Sequence, residues 1–83
     1  MDIKVLGPGC AKCQSLEKTV KEVVAALKLD IAVEEIKDMK QIMKYPILMT
    51  PGLVINGKVV MSGKVPSKAE VERYIMNALK EEG

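Results

Sequence analysis

The sequence predicts a single α/β domain over residues 1–83, ordered β-α-β-α-β-β-α, with a four-stranded mixed sheet flanked by helices. Three observations predict it. Two apolar stretches near the N-terminus are joined by a run of helical periodicity, which describes a βαβ unit with parallel strands. An Asn-Gly pair separates two further apolar stretches, the strongest short-range signal for a hairpin. Finally, a serine followed three residues later by a glutamate opens an amphipathic run in the manner of a capping box.

Element by element, residues 2–6 (Asp2-Ile3-Lys4-Val5-Leu6) alternate and then stop at Gly7-Pro8-Gly9, a strand ending in a loop. From Cys13 to Lys28 the residues Leu16, Val20, Val23, Val24 and Leu27 fall on one helical stripe. Residues 31–36 make the second strand. Asp38 can cap a short helix that carries Met39, Ile42 and Met43 inward, and Tyr45-Pro46 ends it because the residue before proline disfavours the α conformation. Leu53-Val54-Ile55 and Val59-Val60-Met61 flank Asn56-Gly57-Lys58 as an antiparallel ribbon. Ser67 and Glu70 open the last helix, whose stripe is Val71, Tyr74, Ile75, Ala78 and Leu79.

Composition removes several function classes. A chain of 83 residues with 48% hydrophobic content buries roughly 60–65% of its unfolded surface and has no room for a second domain. No window approaches the ~18 consecutive apolar residues of a membrane span, and Met1-Asp2-Ile3-Lys4 lacks the layout of a signal peptide, so a cytoplasmic protein is expected. The net charge of +2 is spread over mixed lysines and glutamates, and Tyr45 and Tyr74 are the only aromatics. A basic stripe interleaved with stacking rings is therefore missing, which argues against nucleic acid as a partner.

The chemistry concentrates in "GPGCAKCQSLEKTV", residues 7–20, where Cys10 and Cys13, the two cysteines of the chain, stand three positions apart. Measured from the centre of the helix stripe, Cys13 lies roughly 40° away and Cys10 roughly 95° away at 100° per residue. Cys13 should thus face the core and Cys10 its margin. A structural staple across so short a loop would constrain little unfolded chain. A zinc site wants four ligands, and the chain has no histidine and no further cysteine. A Cu(I) carrier remains a rival, because soft thiolates select Cu(I) and small copper chaperones also place CxxC between a first strand and first helix. Their element order is β-α-β-β-α-β, however, and Gly7-Pro8-Gly9 replaces the methionine they usually carry before the first cysteine.

The helix N-terminus presents unpaired N–H groups and the positive pole of the dipole, which favour a Cys10 thiolate. Lys12 adds a nearby positive charge that modulates the pair, weakly if solvated. Met39, Met43 and Met61 read as core filling, and Met49, beside Thr50-Pro51, is the methionine placed to approach the cysteines. A proline at residue 51, in "MTPGLVINGKVV" (residues 49–60), must start a strand or form a kink, since it cannot donate to a ladder.

CxxC opening helix one, Thr-Pro opening a hairpin, a glycine after the last strand and a closing helix together resemble the thioredoxin fold over essentially the whole chain. The phrase "TPGLVINGKVV" is similar in particular to small thioredoxin-like redox-active disulfide proteins of archaea and bacteria. The resemblance implies strand order 2-1-3-4, a cis Pro51, backbone hydrogen bonds from Thr50 to a substrate peptide, and a Gly63 that lets substrate approach. It also implies a thiol-disulfide oxidoreductase, monomeric and without cofactor or metal, that exchanges with protein disulfides and is reduced by a thioredoxin-reductase-type donor. A redox-inert adaptor is a third reading. The chain departs from better-known relatives in four ways. Gly9 stands where thioredoxins place an aromatic, and Ala11-Lys12 is the intervening pair. The first strand offers Lys4 and Asp2 in place of a buried acid, and Ser62-Gly63-Lys64 lacks the aspartate that glutaredoxins direct at glutathione.

Overall fold

The computed structural model of the protein describes residues 1–82. Its elements are β1 (Ile3–Leu6), α1 (Ala11–Ala26), β2 (Val33–Ile36), α2 (Met39–Ile42), β3 (Gly52–Ile55), β4 (Lys58–Ser62) and α3 (Lys68–Glu82). The strands form one sheet in the expected order β2-β1-β3-β4. β1 runs parallel to β2 and antiparallel to β3, and β3 runs antiparallel to β4.

Strand alternation sorts side chains onto two faces. Ile3 and Val5 of β1, with Leu53 and Ile55 of β3, pack against Leu16, Val20, Val23 and Val24 of α1 and against Val71, Ile75 and Ala78 of α3. Leu6 and Val54 take the opposite parity and meet Ile42 of α2. The result is three layers, with α1 and α3 on one side of the sheet and α2 on the other.

The turns follow their residues. Asn56 (φ 53°) and Gly57 (φ 79°) both take the left-handed region, as a two-residue type I′ hairpin requires, and the ladder resumes with Ile55 opposite Lys58. A bulge follows, because Leu53 faces Met61 while Val54 faces Val59, leaving Val60 as the extra residue. Such a bulge twists an edge strand and discourages pairing with a further chain. At α3 the capping box closes in both directions. Glu70 N–H donates to Ser67 Oγ at 3.2 Å, and Ser67 N–H donates to Glu70 Oε1 at 3.2 Å. The Ser67 backbone donor is the main reason that the Glu70 carboxyl sits below its ordinary range.

The predicted α2 face is only partly correct. Ile42 is buried, but Met39 is 50% exposed and Met43 77%, so neither fills the core. A four-residue helix makes one turn and has one inward position, which Ile42 occupies. Met61, by contrast, is buried as expected.

α1 ends in a Schellman motif, with Lys28 N–H donating to Ala25 O (3.1 Å) and Leu29 N–H to Val24 O (3.1 Å). Lys28 occupies the left-handed position at φ 57°, where a side chain carries a steric cost that glycine avoids. Lys28→Gly should therefore stabilise the protein by about 0.5–1 kcal/mol, net of glycine's greater freedom in the unfolded chain. Thermal unfolding should move up by a few degrees; an unchanged or lowered midpoint would count against this account.

Candidate functional site

Cys10 is the N-cap of α1, with φ −69° and ψ 167°, an extended conformation that leaves its carbonyl free to accept the first helical bond. That bond comes from Gln14 N–H at 3.0 Å. The Cys10 sulfur accepts from Cys13 N–H at 3.2 Å, satisfying one of the donors that a helix start leaves open. Gly9, at φ +102°, supplies the left-handed step that turns the chain into this cap. Cys10 and Cys13 are joined by a disulfide, with a Cα–Cα distance of 5.0 Å. The two residues differ in exposure: Cys10 is exposed, whereas Cys13 is 2% exposed.

The sheet brings a second set of residues to the same place. β1 pairs with β3 so that Leu6 faces Gly52, and one step further along this register Gly7 lies opposite Pro51. β3 pairs with β4 so that Gly52 faces Ser62, and Gly63 N–H donates to Pro51 O at 2.8 Å. Gly7, Pro51 and Gly63 therefore directly adjoin the ends of β1, β3 and β4, at the sheet end where α1 begins. The Thr50–Pro51 bond is cis, and Pro51 is fully buried. Gly63 takes φ +83°, and a Cβ there would press on Met49 Cβ at 3.3 Å.

Gly7, a turn residue by sequence, ties the end of β1 to the cysteines. A Cβ at Gly7 would collide with Cys13 Sγ and stand 2.8 Å from Cys13 Cβ, closer than real Cβ contacts come. The strand end and the first turn of α1 are in contact only because residue 7 has no side chain. The available signal was a glycine directly after a buried strand residue and six positions before a buried cysteine.

The surroundings of the pair are uneven. No buried polar or charged side chain is found among the described residues, so Cys13 has apolar neighbours and no buried carboxylate. Lys4, which the first strand offered in place of an acid, shares the α2 face with Leu6. Its Nζ lies 3.5 Å from both the Tyr45 hydroxyl and Asp2. The Tyr45 hydroxyl, with Asp2 second, holds the Lys4 ammonium above its ordinary pKa. Lys12 is exposed on the first turn of α1. Beside Thr50, an apolar groove is lined by Met39, Met43, Leu48 and Met49, with Leu48 fully exposed and Met49 64% exposed.

The comparisons agree with this geometry. The family model for the thioredoxin domain matches residues 1–76. A protein named thioredoxin from Methanothermobacter thermautotrophicus is 40% identical over 75 residues, covering 90% of this chain and 97% of the relative. A second protein named thioredoxin, from Methanocaldococcus jannaschii, is 30% identical over 77 residues, covering 93% of this chain and 88% of the relative. With an N-capping Cys10 bonded to a buried Cys13, beside a cis-proline strand opening, the chain belongs to the thioredoxin domain family of thiol-disulfide redox proteins.

Proposed function

We propose that the protein is a monomeric, cytoplasmic protein-disulfide oxidoreductase in which Cys10 attacks and Cys13 resolves. The observation that carries this reading is the asymmetry of the pair, an exposed cysteine at a helix N-cap bonded to a buried one. In the reduced protein the Cys10 thiolate attacks one sulfur of a substrate disulfide, expelling a substrate thiolate and forming a mixed disulfide. The Cys13 thiol then loses its proton and attacks Cys10 Sγ, which releases the second substrate thiolate. The substrate disulfide gains two electrons and the Cys10–Cys13 disulfide forms. With no buried carboxylate beside Cys13, its proton passes to the departing thiolate or to water.

Thr50, Pro51 and Gly63 form the docking edge in this reading, with Lys12 modulating the charge near Cys10. Exposed thioethers adapt their shape to varied partners, so the groove beside Thr50 suits the apolar residues that flank a disulfide in a protein substrate. A thioredoxin-reductase-type donor returns the oxidised pair to the dithiol. Catalytic amounts of the protein should accelerate the reduction of insulin disulfides by dithiothreitol, followed as precipitation of the free B chain. Absence of acceleration, together with tight Cu(I) binding by the reduced form, would favour a copper carrier that uses the same two thiolates.

A further inference from the structure

We propose that Gln14 is a positioning residue for this exchange, gripping both peptide carbonyls that flank Cys10 and so holding its sulfur at the helix N-cap once the disulfide is open. The proposal rests on the reading of Cys10 as the attacking sulfur. Gln14 is exposed, so it contributes no core packing. It nevertheless makes two bonds toward the site. Its backbone N–H donates to Cys10 O at 3.0 Å, and its side-chain Nε2 donates to Gly9 O at 3.1 Å. One residue thus fixes the carbonyl before Cys10 and the carbonyl after it.

The segment needs such a restraint. Pro8 has no N–H to give, Gly9 has no side chain and sits at φ +102°, and a Cβ on Gly9 would touch nothing within 4 Å. In the oxidised protein the bond to Cys13 anchors Cys10. Reduction removes that anchor, and of the restraints then left the Gln14 side chain is the one a substitution can delete while sparing the helix. A clamp that matters in the dithiol more than in the disulfide changes the balance between them. When the clamp is lost, Cys10 leaves the N–H of Cys13 more often, its thiolate is less stabilised, and the disulfide becomes relatively favoured.

Of the charged groups on the elements around this turn, Lys12 lies on the same turn of α1, Lys64 follows Gly63 and lies 4.0 Å from Glu70, and Lys37, paired with Glu35 at 3.0 Å, and Asp38 follow Ile36, whose carbonyl accepts from Gly7 N–H; Gly7-Pro8-Gly9 and Pro51 carry no charge. Gln14→Met keeps side-chain length and helix propensity but removes the donor. In the reduced variant, the pH midpoint for alkylation of Cys10 by iodoacetamide should rise by about 0.5–1 pH units. The thiol-disulfide equilibrium against glutathione should move about three- to tenfold toward the disulfide, tenfold corresponding to ~30 mV. Thermal unfolding of the oxidised form should change little. A wild-type alkylation midpoint together with a wild-type equilibrium overturns the proposal, as does equal destabilisation of both redox forms with an unchanged pH profile. Alkylation needs no protein substrate, so it reads the clamp even if the wild-type protein fails to reduce insulin, a result that would instead sink the proposed function.

Discussion

Reduced Cys13→Ser protein, mixed with a protein disulfide, should accumulate as a covalent one-to-one adduct that dithiothreitol releases, while Cys10→Ser protein should form no adduct and show no exchange above background. The expectation rests on the unequal exposure of the two cysteines. Cys10 is exposed at the N-cap, where its sulfur accepts from Cys13 N–H, so an approaching disulfide meets this sulfur first. Cys13 is 2% exposed, on the buried side of α1 that also carries Leu16 and Val20 and close against Gly7, so it is shielded from an external disulfide. In the proposed mechanism it acts as a nucleophile only when a mixed disulfide places Cys10 Sγ within its reach. Replacing Cys13 therefore leaves attack intact and removes the only intramolecular way out of the adduct. Mass spectrometry of the trapped species, with the substrate thiols mapped, checks the assignment. Adducts on Cys10→Ser instead of Cys13→Ser, or alkylation of Cys13 as fast as Cys10 at pH 7, would reverse it. The same trap in a cell extract identifies the physiological substrate or reductase by the protein it retains.

Most of this site was readable from residue order because its signals are local. The helix phase that set Cys13 near the centre of the Leu16-Val20-Val23-Val24 stripe and Cys10 at its margin needs only 3.6 residues per turn, and burial follows it. The hairpin needs only Asn56-Gly57, whose two positive φ values few other residue pairs tolerate. The capping box needs only Ser67 and Glu70. Periodicity failed where the element is too short to have a period, and Met39 and Met43 were accordingly placed inside when they line a groove. Residues 31 and 32, read as strand, lie outside the ladder, which begins where Val33 faces Ile3. Gly7 and Gln14 escaped notice for a different reason. The meaning of Gly7 lies in a contact between a strand end and a helix, and that of Gln14 in one bond to a carbonyl five residues back. The bond of Gln14 leaves no pattern in composition or spacing, and the one signal for Gly7, its place between a buried strand residue and a buried cysteine, needs the burial of both to be known first.

Gly7→Ala should damage both stability and exchange, and it should do so through Cys13. The added Cβ would overlap Cys13 Sγ and approach Cys13 Cβ to 2.8 Å, and neither atom is the loose end of a flexible side chain. Cys13 is held by the backbone of α1 and by its bond to Cys10, while Gly7 is held by its N–H donating to Ile36 O at 2.9 Å. Relief requires the first turn of α1 to move away from the sheet. Overpacking of this kind costs about 1–3 kcal/mol. Because the same movement shifts both sulfurs relative to the end of the sheet, exchange with a protein disulfide should fall by about 10- to 100-fold, in line with the cost of misplacing reacting groups by about 1 Å. Reduction frees the Cys13 side chain to rotate, so the oxidised form should lose more stability than the reduced form. By linkage, the variant's disulfide should then be easier to reduce than the wild-type one. Denaturant unfolding of both redox forms, alongside the glutathione equilibrium, reads this difference directly. Equal losses in the two forms would show that the collision is relieved by the backbone of Gly7 alone, and wild-type exchange would show that the sheet end at Gly7, Pro51 and Gly63 need not be held against the cysteine pair.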